Sequence, residues 1–139
     1  MIKISKSKAE EIKDFNESEW KKADEKYYGK ENKWVEKEFV FKAEENGKIV
    51  GSISEKFAAG VLHIDDLIVA KNKRGKGVGK MLMQKAEKFG REMGGHKAYL
   101  ITGKAWGVRK FYEDLGYIKT SDFPNHFHHV DFVVYEKPL

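Results

Sequence analysis

The chain has 139 residues, 40% of them apolar and 13% aromatic, which suits one core-forming domain over residues 1–139 and excludes global disorder. It has no cysteine, no apolar run of membrane-spanning length and no apolar stretch behind the charges of its first residues. Disulfides, thiolate metal sites and a cysteine nucleophile are therefore excluded, and the expected setting is cytoplasmic, with no secretory leader and no membrane partner. The net charge of +5 suits an anionic ligand, but 35% of residues are charged with both signs interleaved, so most of that charge serves solubility and a nucleic-acid partner is not expected.

In chain order, Met1 to Ser5 alternates and predicts a short strand. Lys8 to about Tyr28 predicts helix, in one piece or in two with a break, with Ile12, Phe15, Trp20, Ala23 and Tyr27 near helical spacing, and Gly29 stopping it. Glu17, Glu19, Asp24 and Glu25 read as a solvated helix face, with attraction of a cationic amine as the alternative. Trp20, Tyr27, Tyr28 and Trp34 read as core or pocket wall. Lys37–Glu45 and Lys48–Phe57 form a hairpin on Asn46-Gly47, a dipeptide suited to a turn in which both central residues have positive φ. A turn at Ala59-Gly60 leads into a third strand, Val61 to Val69. A helix follows to about Met93, with Val78, Met81, Leu82, Ala86, Phe89 and Met93 as its apolar stripe. Lys97 to Thr102 predicts strand. Val108, Phe111, Tyr112 and Leu115 mark an amphipathic helix closed by Gly116. Tyr117–Thr120 and His129–Glu136 close the chain as strands around a loop with Pro124. This order predicts an α/β (mixed α+β) layering of helices on a central sheet, with Val61 to Thr102 as a right-handed crossover between parallel strands.

Between the third strand and its helix lies Lys73-Arg74-Gly75-Lys76-Gly77-Val78-Gly79-Lys80. A helix start has free N–H groups and the positive end of its dipole, and glycine removes the Cβ that would hold a phosphate away. The loop therefore predicts a phosphate or diphosphate site. It does not match G-x-x-x-x-G-K-[ST], because Gly79-Lys80 is followed by Met81. It does not match G-x-G-x-x-G either, since its third glycine comes one residue early and the next strand ends without an acid.

Arg74-Gly75-Lys76-Gly77-Val78-Gly79 resembles the Q/R-x-x-G-x-G/A motif of the GNAT superfamily of acetyl-CoA-dependent N-acetyltransferases. Phe111-Tyr112-Glu113-Asp114-Leu115-Gly116-Tyr117 resembles that family's late F-Y-x-x-x-G-F/Y motif, and it begins 32 positions after Gly79 with a strand between. The resemblance spans roughly Val61 to Tyr135. It implies a mostly antiparallel mixed sheet of about seven strands, splayed at a parallel pair. It also implies acetyl-CoA as cosubstrate without a metal, bound by main-chain groups of Leu67, Ile68 and Val69 and by the loop from Arg74, Gly75, Lys76, Gly77 and Val78 to Gly79 and Lys80. An amine, small molecule or protein, would attack the acetyl group directly, and Tyr112 would protonate the departing thiolate. Subunits are expected as monomers or homodimers. A catalytically silent acyl-CoA-binding module is the competing reading.

Two adjacent acids, Asp65 and Asp66, interrupt the third strand. Alternation would turn one of them inward unless a bulge intervenes. Asp65 is favoured as the base for the amine, with Asp66 and His63 behind it; binding of a cationic substrate is the alternative role for these acids. The family's usual Asn ahead of the F-Y motif is missing from Gly103 to Arg109, leaving Lys104, Arg109 or Lys110 as substitute phosphate contacts. Trp106 reads as packing on a ligand or in the core. His126, His128 and His129 cluster in the last loop, where they are expected to border the substrate entrance rather than hold a metal.

Overall fold

The computed structural model describes residues 1–139, in two compact units, Met1–Trp34 and Val35–Leu139. The first unit is built on helix α1, Ala9–Tyr28, which Gly29 ends in the left-handed conformation (φ 77°) by donating its N–H to Glu25 O. Met1 to Ser5 forms no strand. An isolated alternating segment gains nothing from extended structure without a neighbour to pair with, and the sheet accordingly has six strands rather than about seven.

The second unit contains strands β1 (Lys37–Glu45), β2 (Lys48–Ala58) and β3 (Val61–Val69), helix α2 (Val78–Glu92), strand β4 (Lys97–Gly103), helix α3 (Arg109–Asp114), and strands β5 (Ile118–Phe123) and β6 (Phe132–Pro138). The sheet order is β1-β2-β3-β4-β6-β5, antiparallel except for the β3–β4 pair. Asn46 (φ 51°) and Gly47 (φ 77°) close the first hairpin with the expected positive angles. The closing strands lie later than the sequence pattern suggested: β5 runs on through Ser121 to Phe123, and β6 starts at Phe132. β5 is short and exposed with polar side chains on both faces, and the buried run Phe132–Tyr135 that opens β6 does not alternate, so neither boundary has a period to read.

Leu82, Met83 and Ala86 of α2 join Ile53, Leu62, Ile64, Ala98, Leu100, Tyr112, Tyr117, Val133 and Tyr135 in one core. A β-bulge interrupts the β2–β3 ladder: Ser54 pairs with Asp66 and Glu55 with Ile64, so Asp65 is the extra residue. The insertion changes the phase of β3. Leu62 and Ile64 are core residues before it, whereas Leu67 packs on the core after it and Val69 approaches Gly79 of α2. Both acids are thereby kept out of the core, which resolves the conflict that strict alternation posed.

A different acid is buried. Glu55 is 1% exposed, and neither of its carboxylate oxygens has a hydrogen-bond partner. It shares a face of β2 with Ile53 and Phe57 and lies opposite Ile64. Burial alone pushes its pKa up from 4.5 to about 7. By contrast, buried Glu87 accepts from Tyr117 Oη (3.0 Å) and Lys137 Nζ (2.6 Å), with Arg91 at 3.7 Å. Because the folded state holds the Glu55 proton more tightly than the unfolded chain does, stability falls as pH rises from about 4.5 to about 7 and is flat with respect to this group above that. The loss is roughly 3 kcal/mol. Replacing Glu55 with Met removes the ionisable group and the unmet hydrogen bonds together. Thermal melts across pH 4.5–8 are expected to show a shallower slope for E55M and a Tm about 5–10 °C above wild type at pH 8; an unchanged slope would show that Glu55 does not titrate in this window.

Candidate acetyl-donor site

The parallel ladder between β3 and β4 runs from Val61–Lys97 to Ile64–Leu100 and stops, although β3 continues to Val69 and β4 to Gly103. The two strands part there. Past the end of β3, a single 3₁₀ turn (Lys71–Lys73) and an extended Arg74 lead into Gly75 (φ 76°) and Gly77 (φ 83°). Helix α2 then begins at Val78 with Gly77 as its N-cap. The N–H groups of residues 74–80 donate to no backbone carbonyl, and the first helical bond runs from Met81 N to Gly77 O (3.0 Å). These amides, left-handed glycines and helix start make a cradle that can receive an anion.

Each glycine has its own physical reason. At Gly75 and Gly77 a Cβ would meet no atom within 4 Å, so there the requirement is the backbone angle. At Gly79 a Cβ would lie 3.3 Å from the Phe111 ring, so the requirement is close approach of α3 to α2. The Arg74 Nε donates to Val69 O (3.0 Å), folding the side chain back onto the end of β3. Lys73 is paired with Glu45 at the tip of the first hairpin and holds that carboxyl below its ordinary range.

A cleft of about 650 Å³ joins these parts. Its walls include Leu67, Ile68, Val69, Arg74, Gly75, Gly77, Val78, Gly79 and Lys80, and Tyr112. Of the residues expected to hold the donor, Lys76 alone does not line it. The sequence reading left three further wall residues without a settled place there: Trp106, Val108 and Phe111. Trp106 lies against Gly103, where a Cβ would overlap the indole, and packs edge-on against Phe132 at 5.2 Å. The signal for it was Gly103 itself, a glycine ending a buried strand. Tyr112 is buried, stacked on Tyr135 (5.6 Å) and edge-on to Phe111 (4.9 Å) and Tyr117 (6.0 Å). Burial, with a smaller contribution from Tyr135, pushes its pKa up to about 12, so the phenol stays protonated at neutral pH.

The pattern covers most of the chain. A family model described as the acetyltransferase (GNAT) family matches residues 8–117. The chain belongs to the GNAT acetyltransferase family. Its fold resembles that of an acetyltransferase from Bacillus cereus ATCC 14579 (TM-score 0.76, 22% identity, 99% of this chain and 98% of that one). It also resembles the ribosomal-protein-S18-alanine N-acetyltransferase of Escherichia coli (TM-score 0.67, 16% identity, 73% and 68%) and an aminoglycoside 6'-N-acetyltransferase complexed with coenzyme A (TM-score 0.66, 19% identity, 73% and 72%). No curated protein sequence matches the chain. No helix is long and apolar enough to cross a membrane.

Next to the point of parting, on one face of the sheet, the structure gathers His63, Asp65, Lys56 and Tyr99, each half-buried. His63 Nδ1 lies 3.2 Å from Asp65 Oδ1, and Lys56 Nζ lies 3.7 Å from Asp65 Oδ2. The imidazole stacks on Tyr99 at 4.3 Å with ring planes 3° apart. Desolvation lowers the His63 pKa below 6.5, opposed by Asp65 and aided by Lys56. Asp66 is exposed and apart from this group. The basic residues considered as substitute phosphate contacts are spoken for: Lys104 pairs with Asp122, Arg109 with Glu113 and Lys110 with Asp114. None lines the cleft. The histidine loop is a strained turn, with His128 (φ 51°) and His129 (φ 63°) left-handed. His126 packs on Phe123 and Phe127, and His129 Nδ1 meets Asn125 Oδ1 at 2.9 Å.

Replacing Gly77 with Ala adds about 1–2 kcal/mol of backbone strain at a left-handed position. Differential scanning fluorimetry is expected to show a smaller Tm rise with acetyl-CoA for G77A than for wild type, beyond the lowered starting Tm. An identical acetyl-CoA shift in both proteins would remove this loop from the binding site.

Proposed function

We propose that the chain acts as one N-acetyltransferase domain over residues 1–139 and transfers the acetyl group of acetyl-CoA to a primary amine by direct attack. The carrying observation is the run of unbonded amides from Arg74 to Lys80 beside the gap between β3 and β4, with Tyr112 on the wall of the same cleft. The family match across residues 8–117 supports the single-domain reading. The donor, when bound, supplies a thioester whose carbonyl accepts the amine nitrogen and whose thiolate leaves.

The chain's own groups have these assignments. The N–H groups from Gly75 to Lys80 hold the diphosphate, with Lys76 and Lys80 adding charge. The β3 edge beyond Ile64, at Leu67, Ile68 and Val69, offers main-chain groups to the amides of the pantetheine arm, as a neighbouring strand would. Tyr112 gives its proton to the leaving sulfur; a phenol held well above neutral pH is in the right form to donate. The base is the Asp65–His63 pair: Asp65 holds Nδ1 and leaves Nε2 to take the amine proton, through water if needed. A lowered imidazole pKa keeps that nitrogen free at neutral pH. The acceptor belongs on the face of the sheet that carries this pair.

The test is thiol release from acetyl-CoA with a panel of primary amines. Y112F is expected to lose about 100-fold or more in kcat with acetyl-CoA affinity retained. The kcat/KM profile is expected to carry an acidic limb with a midpoint below 6.5, which H63N removes. Full turnover in Y112F would strip Tyr112 of its role. Absence of thiol release with every amine, while acetyl-CoA still binds, would favour a silent acyl-CoA-binding module.

A further inference from the structure

The Met1–Trp34 unit contains a cavity of about 720 Å³ that the donor site does not use. One face of α1 supplies Trp20, Asp24 and Tyr27 at i, i+4 and i+7, with Tyr28 beside them. After the left-handed turn at Gly29 the chain folds back along the helix. Trp34 Nε1 then reaches both oxygens of Asp24, at 3.3 and 3.1 Å, and Asn32 N donates to Asp24 Oδ2 at 3.2 Å. Trp34 stands edge-on to Tyr28 at 5.8 Å. The sequence pattern read Asp24 as part of a solvated face; the fold buries it to 4% exposure in a wall of aromatic rings.

The electrostatics of this pocket are one-sided. Both donors to Asp24, the Trp34 indole and the Asn32 amide, are neutral N–H groups, so its charge meets no countercharge within the unit. Glu17 and Glu31 add negative charge to the lining, and the single lining cation, Lys21, is directed at Glu31 (4.0 Å). A desolvated carboxylate in a pocket lined by Trp20, Tyr27, Tyr28 and Trp34 offers a cation a charge-assisted hydrogen bond and aromatic surface for the body that carries it. The volume exceeds that of a metal ion or a bare ammonium and suits a small organic molecule.

We propose that this pocket binds a primary ammonium ion carried on an aromatic or aliphatic body, with the nitrogen at Asp24 and the body against Trp20, Tyr27 and Trp34. It goes beyond the acetyl-transfer reading and stands without it. An anion is repelled by the lining, and a neutral molecule of the same shape gains the apolar contact without the charge.

Titration calorimetry on the full chain without acetyl-CoA tests this, with phenethylamine and 2-phenylethanol as matched probes. The amine is expected to bind at least about tenfold more tightly than the alcohol. W20A is expected to weaken amine binding about fivefold, and D24N to erase the preference for the amine. Since Asp24 also anchors Trp34, D24N is read only with a native circular-dichroism spectrum, and W20A and the alcohol carry the test without it. Equal affinity for the two probes, no binding of the amine, or an unaltered amine affinity in W20A would overturn the pocket assignment. Amine binding in a protein that releases no thiol from acetyl-CoA would leave the pocket standing and sink the acetyl-transfer reading instead.

Discussion

The early end of the β3–β4 ladder is the constraint on which the rest of the second unit depends. Parallel strands ordinarily keep their hydrogen bonds along their shared length, yet here pairing stops at Ile64–Leu100 with five residues of β3 still to come. Main-chain groups inside a sheet are costly to leave without partners. The departure is stabilised from both sides. The bulge at Asp65 turns β3 relative to β2 and re-aims Leu67 and Val69 at α2. On the other flank, β4 stays paired with β6 through Gly103–Phe132, so it cannot follow β3. The gap is therefore part of the packed fold, and the cleft is what occupies it.

The two buried glutamates show how the unit distributes polar groups. Glu87 joins α2 to the last strand and to the turn after α3 through Lys137 and Tyr117, with every contact charge-assisted. The same contact raises the Tyr117 phenol above its ordinary pKa, after burial as the main cause. Glu55 has no such partner. An unmatched carboxyl in a core is more costly than an apolar residue of equal size, so the fold tolerates at this position something it does not need for packing.

Much of this architecture is legible in the sequence, for identifiable reasons. The hairpin at Asn46-Gly47, the strand Val61–Val69 and the helix behind the glycine loop each have a local signal: a turn dipeptide, a bounded apolar run, a strong helical period. The six-strand sheet departs from the expected seven because Met1–Ser5 had period but no partner, and pairing is a tertiary fact. The glycine loop was legible because helix-start chemistry is local. The grouping of His63, Asp65, Lys56 and Tyr99 was not, since it needs the bulge and the β4 register to bring it about. Nor was the pairing of Lys104 with Asp122, an acid in reach only after folding, whereas Arg109–Glu113 and Lys110–Asp114 sit at i, i+4 on a helix that the period predicts. Asp24 was misread because helical period alone does not reveal a chain that doubles back on its own helix.

The bond from Arg74 Nε to Val69 O reaches beyond the loop it belongs to. It clips the anion cradle to the very strand whose free edge borders the cleft, so the two halves of the groove share one mechanical frame. A force felt by the loop is passed to the strand terminus, and any tilt of that strand returns to the loop. Loss of this clip would register as two defects at once, slack in the cradle and misalignment of the edge, and a single affinity measurement would fold them into one number.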